Sequence, residues 1–104
     1  MKFDEYQKEA STTDIHPDDH YILLLAAGLS AEAGEVLSLV YKAYRDGTPA
    51  PILQFEAELG DALWYISRIA SYLGLSLEEI ARSNLHKLHD RQQRGVLGGS
   101  GDDR

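Results

Sequence analysis

Four carboxylates stand in two pairs of equal spacing, Glu32 with Glu35 and Glu58 with Asp61. Residues three apart on a helix are neighbours, with Cβ atoms about 5 to 6 Å apart, so each pair offers oxygen donors from one face. Glu32 falls within an apolar line, three residues after Leu29 and four before Val36, and Glu35 lies one turn beyond it. Glu58 and Asp61 are flanked by Phe55, Leu59, Ala62 and Tyr65. Taken singly, such pairs are usually acids on a solvated face. Two matched pairs that both abut apolar stripes predict instead that two facing helices bring the four carboxylates together. Carboxylates withdrawn from water lose solvation and repel one another, so a cation belongs among them. Oxygen donors without cysteine favour a hard cation: magnesium is expected, with manganese as the alternative, where a phosphate completes the coordination.

A second constellation has the opposite sign. Leu77 and Ile80 begin a helical face that continues through Asn84, Lys87, Arg91 and Arg94. Such a row suits a polyphosphate, because arginine grips phosphate oxygens in a fork, lysine acts as a point charge and asparagine donates a hydrogen bond. Alone it would read as a basic helix end complementing the helix dipole. Beside a carboxylate cluster it reads as substrate binding. His86 and His89 adjoin no acid motif and form no HExxH pattern, so they are expected at the surface. Trp64, Tyr65, Tyr41 and Tyr44 are expected in the core or at an interface. With no Walker lysine loop, no GxGxxG and no nucleophilic serine motif, covalent catalysis is not indicated.

Helices must position these groups, and the sequence contains no competing strand pattern. A first helix is expected over about residues 3 to 11, ending before a stretch in which His16 precedes Pro17 and is biased away from helical geometry. A second, over about 20 to 45 and capped by Asp18 or Asp19, has Ile22, Leu25, Leu29, Val36 and Val40 on one side. It is apolar nearly all round between Tyr21 and Leu29, which predicts burial on two faces, in its own bundle and against a partner subunit. Gly28, Ala31 and Gly34 would admit a neighbouring helix closely. Asp46, Gly47, Thr48, Pro49, Ala50 and Pro51 make the break. A third helix over about 53 to 73 repeats apolar residues at Phe55, Leu59, Ala62, Ile66, Ile69 and Leu73, and Gly74 closes it. Ser76 with Glu79 predicts a capping box for a fourth helix reaching about residue 93. The fold expected is an all-α antiparallel bundle of about four helices with the site between the second and third.

The order Glu32-x-x-Glu35, Glu58-x-x-Asp61 and Asn84-x-x-Lys87 resembles that of the MazG-like nucleotide pyrophosphohydrolases, within the all-α nucleoside triphosphate pyrophosphohydrolase superfamily. AGLSAEAGEV and ELGDALWYISRIASYLG resemble the core helices of that family, and the likeness spans about residues 6 to 94. It implies magnesium-dependent hydrolysis of a nucleoside triphosphate to the monophosphate and pyrophosphate, with nucleotide-pool house-cleaning as a family-level role. It implies metal ligation by Glu32, Glu35, Glu58 and Asp61, and triphosphate contacts from Asn84, Lys87 and Arg91. Catalytic duties would fall to Glu35 and Glu32, but where some relatives have a further glutamate this chain has Ala31, which leaves the general base open. A phosphoribosyl-ATP pyrophosphatase-like enzyme and a non-catalytic helical module that binds nucleotide or metal remain as alternatives.

The bulk properties set the remaining bounds. With 104 residues and an ordinary balance of 43% hydrophobic and 26% charged residues, one domain is expected over residues 1–97, followed by a glycine-rich polar tail over 98–104. So small a helical domain gains from pairing with itself, so a homodimer or dimer of dimers is expected. A formal net charge of −7 argues against a polynucleotide or anionic-lipid partner. The absence of cysteine excludes disulfides and thiolate zinc sites. The acidic start lacks the order of a signal peptide, and no membrane partner is expected, which makes the cytoplasm the expected location.

Overall fold

All four helices form in the structure, a computed structural model that describes residues 1–17 and 20–104. They are α1 (Phe3–Ser11), α2 (Tyr21–Asp46), α3 (Ile52–Tyr72) and α4 (Leu77–Gln93), with no strand among the described residues. The cap expected from Asp18 or Asp19 lies outside the described residues. His20 occupies the position before α2 with φ 58°, and its side chain makes no capping bond.

α2 and α3 form the framework, an antiparallel hairpin turned by residues 47–51. Gly47 ends α2 in the left-handed region, at φ 64°, where glycine meets no Cβ penalty, and Thr48 N–H donates to Ala43 O at 3.0 Å. The antiparallel register sets Gly28 against Tyr65, and Glu32 against Glu58 and Asp61. The close approach expected at Gly28 is real: an added Cβ would clash with the edge of the Tyr65 ring, whereas one at Gly34 would meet nothing within 4 Å.

α1 and α4 are bound to the far end of this hairpin through polar contacts. Gln7 Nε2 donates to Ser71 Oγ at 3.0 Å and to Leu75 O at 2.9 Å, while its Oε1 accepts from Leu77 N–H at 2.8 Å. One amide thus supports both the α3 end and the α4 start. Only half of the expected capping box forms. Ser76 Oγ accepts from Glu79 N–H at 3.2 Å, but the Glu79 carboxylate turns to Arg82 Nε at 3.2 Å rather than back to Ser76. α4 lies against α1 and α3 and, among the described residues, has no contact with α2.

Burial departs from the sequence expectation. The buried apolar residues are Ala10, Leu25, Ala70 and Leu77, while Val40, Leu59, Ile22 and Ile66 of the expected inner faces are exposed. The radius of gyration is 16.5 Å, against about 13 Å for a globular domain of this length, so the lone chain is extended. α2 is also long and apolar enough, by length and composition, to cross a membrane. Its two glutamates make hydrocarbon a costly cover for that helix.

An unanticipated polar knot pins the segment between α1 and α2. Asp14 accepts from Arg68 Nε at 2.8 Å, from the Tyr21 hydroxyl and from His16 N–H at 3.0 Å, with His16 Nδ1 at 2.9 Å. Burial pushes the Asp14 carboxyl up, but the Tyr21, Arg68 and His16 donors outweigh it and hold the group well below the usual carboxylate range. A carboxyl depressed in the folded state stabilises fully above its unfolded value of about 4 and loses that contribution as pH falls through the folded value. Asp14→Asn should therefore cost about 1.5 to 3 kcal/mol at pH 7, as for a hydrogen bond to a charged group. Thermal unfolding of both proteins should show the gap shrinking below about pH 4. A gap that stays constant into acid would contradict the assignment.

Candidate active site

The antiparallel register places one turn of α2 opposite one turn of α3, and there the acids converge. Glu32, Glu58 and Asp61 each direct a carboxylate oxygen so that all lie within 4.8 Å of one another. Glu32 and Glu58 are half-buried and Asp61 is exposed. Hydrogen bonding with Glu58 is the foremost cause that pushes the Glu32 carboxyl up, followed by burial and then by the charges of Asp61, Glu58 and Glu35. Among the described residues, no ion pair to lysine, arginine or histidine involves any of these acids. Uncompensated like charges at this separation fit a divalent cation with oxygen ligands. Glu35, one turn beyond Glu32, is exposed and stands outside the three-acid group.

A cavity of about 310 Å³ adjoins this group, lined by Glu32, Asp61, Trp64 and Tyr65. The two aromatic rings meet edge to face at 5.0 Å, and Trp64 Nε1 donates to Thr13 Oγ1 at 2.8 Å. His16 comes within 5.8 Å of the Trp64 ring and 6.0 Å of the Tyr65 ring. Trp64 and Tyr65 are thus walls of the acid cavity, a role that helical spacing alone does not distinguish from core packing. Tyr41 and Tyr44 are open to solvent.

The row on α4 divides. Asn84 and Lys87 line a separate cavity of about 420 Å³ together with Ser76, Glu79, Ile80 and Ser83. Arg91 is 3% exposed, and its Nη2 donates to Asp102 O at 2.8 Å and Oδ1 at 3.2 Å. Lys87 Nζ reaches the same Oδ1 at 3.2 Å. The basic row is therefore covered at its C-terminal end by residues 98–104. The pairing holds the Asp102 carboxyl below its ordinary range, through Arg91 first and Lys87 second. His86 and His89 are exposed, away from the acids in sequence and unpaired with them.

The family profile described as the MazG nucleotide pyrophosphohydrolase domain matches residues 21–96, which takes in both acid pairs and the α4 row. The chain is also similar to the Gene 37 protein of Mycobacterium phage L5, at 38% identity over 114 residues and with the whole of both chains covered. No solved structure matches.

Proposed function

The chain belongs to the MazG nucleotide pyrophosphohydrolase family, and from that premise we propose that it hydrolyses a nucleoside triphosphate to the monophosphate and pyrophosphate with magnesium at the acid group. The observation that carries this reading is the convergence of Glu32, Glu58 and Asp61 within 4.8 Å without a compensating cationic side chain. These three would hold the metal, with Glu35 as the fourth donor from the adjacent turn. Manganese would suit the same oxygens. When bound, magnesium neutralises phosphate charge and lowers the pKa of water.

The chain's own groups account for orientation and charge. Glu35, one turn beyond Glu32 and open to solvent, is the carboxylate placed to accept the proton of the attacking water. Lys87 and Asn84 face an open cavity from which an ammonium and an amide can meet the β- and γ-phosphates, where charge grows as pyrophosphate departs. Trp64 and Tyr65 line the cavity beside the acid group and offer an aromatic surface to the rest of the nucleotide.

The α4 row and the acid group open into different cavities of one chain. A homodimer or dimer of dimers would cover the apolar residues that α2 and α3 leave exposed, among them Leu23, Leu37, Val40, Leu59 and Ile66. Such an assembly would be one way to bring an α4 row to each acid group.

Incubation with magnesium and a panel of nucleoside triphosphates, with phosphoribosyl-ATP included, tests the reading. Attack at the α-phosphorus yields monophosphate and pyrophosphate in equal amounts. Orthophosphate with a diphosphate would refute that bond choice, and preference for phosphoribosyl-ATP would move the substrate to that class. Binding without any product would leave a nucleotide-binding module.

A further inference from the structure

We propose that residues 98–104 form a strap whose Asp102 carboxylate occupies the anion site of Lys87 and Arg91, and that a polyphosphate binds there by displacing it. The inference rests on the reading of this face as the phosphate site. Its basis is one atom. Asp102 Oδ1 lies 3.2 Å from Lys87 Nζ and 3.2 Å from Arg91 Nη2, bridging two cations that stand one helical turn apart. A phosphate oxygen held by that lysine and that arginine would take the same place.

The carboxylate is a poor match for what it covers. Both Arg91 contacts run through Nη2, whereas a guanidinium fork is built to hold two oxygens along one edge. Arg91 Nε is buried and, among the described residues, has no hydrogen-bond partner. A buried donor left unmade is costly, so the covered state leaves interaction energy that a tetrahedral anion could recover. The Asp102 side chain is itself 82% exposed and that of Lys87 42%, so that pair is weak, and the contact with the buried Arg91 is the stronger hold. A ligand carrying several negative charges outcompetes a single solvated carboxylate.

The strap is tied to the residues just before it through its last side chain. Arg104 donates to Val96 O at 3.1 Å and to Leu97 O at 3.3 Å, outside the strap, and to Gly101 O within it. Gly99 lies directly against the Arg104 side chain, and Gly95 and Gly101 adopt positive φ at 72° and 81°. Outside Asp102, the residue that caps α4 also holds the segment: Arg94 Nη2 donates to Arg104 O at 2.6 Å. Displacement would uncover Arg91 and join it to Lys87 and Asn84, restoring the continuous row that the sequence spells out.

Binding of inorganic tripolyphosphate, measured by calorimetry without metal at fixed ionic strength, tests the strap. Asp102→Asn is expected to bind three- to tenfold more tightly than the wild type, and Asp103→Asn to match the wild type. Saturating the wild type with tripolyphosphate should also accelerate hydrogen exchange at Gly99 N–H, which donates to Val96 O at 3.2 Å. Equal or weaker binding by Asp102→Asn, or unchanged exchange at saturation, overturns the proposal. Neither readout needs magnesium or bond cleavage. Nucleotide hydrolysis with no gain in Asp102→Asn would therefore sink the strap alone. The gain without hydrolysis by the wild type would sink the activity alone.

Discussion

Glu58→Gln is expected to lower magnesium-dependent hydrolysis by about a thousandfold or more while the four helices remain. Each tenfold in rate corresponds to about 1.4 kcal/mol, and charge stabilisation at a metal site supplies several. Glu58 is the group that most strongly perturbs Glu32, so the amide removes both a ligand charge and the partner of a second ligand. Stability without metal should move the opposite way. A carboxyl raised in the folded state, as Glu32 is, stabilises fully below its unfolded value and loses that contribution as pH rises through the folded value. At neutral pH the metal-free wild type therefore carries repulsion that Glu58→Gln relieves. In chelator, the variant should melt a few degrees higher, at roughly 4 to 8 °C per kcal/mol for a domain near this size. Magnesium should raise the Tm of the wild type and leave that of the variant nearly unchanged. A variant that melts lower in chelator, or that still gains stability from magnesium, would separate Glu58 from the metal.

The same repulsion explains which parts of the site could be read from the sequence. Glu32, Glu58 and Asp61 interrupt apolar stripes at helical spacing, and a periodic pattern with acids in it states both the helix and its inward face. Gly28 was legible as a point of close approach, but the same signal misled at Gly34, where an added Cβ would meet nothing within 4 Å. The extent of burial was not legible. Val40 and Leu59 follow the inner-face pattern yet stand exposed, because an apolar residue carries no mark of whether its cover lies in the same chain or in another. Arg68 was a missed signal: a lone arginine between Ser67 and Ile69 on an apolar helix needs a buried partner, and Asp14 supplies it from 54 positions away. Asp102 left no comparable trace, since an aspartate in a glycine-rich polar tail has no periodicity against which to stand out. Arg91 was correctly placed on the face with Lys87, but helical spacing gives direction and says nothing of a loop folded over it.

Lys87 separates a phosphate-binding face from a merely basic helix end. It lies on the face begun by Leu77 and Ile80 and lines the cavity that Asn84 shares, and its ammonium is partly open to solvent. Its ion pair with Asp102 is too exposed to contribute much to folding, so Lys87→Ala should leave the Tm within about a degree or two of the wild type. A charge-assisted phosphate contact is worth roughly 1.5 to 3 kcal/mol, and its loss should lower kcat/KM by about tenfold to a hundredfold. The deficit should appear in kcat as well as KM, because charge on the departing pyrophosphate is greatest in the transition state. The magnesium-induced rise in Tm should persist, since Lys87 pairs with none of the three clustered acids. Arg91→Lys makes the companion case: it keeps the charge beneath residues 98–104 but loses the fork, and should also lose activity. Near-wild-type catalytic efficiency in Lys87→Ala, measured as pyrophosphate release, would reduce this row to a solvated helix terminus and leave the acid group as the only part of the site with a chemical role.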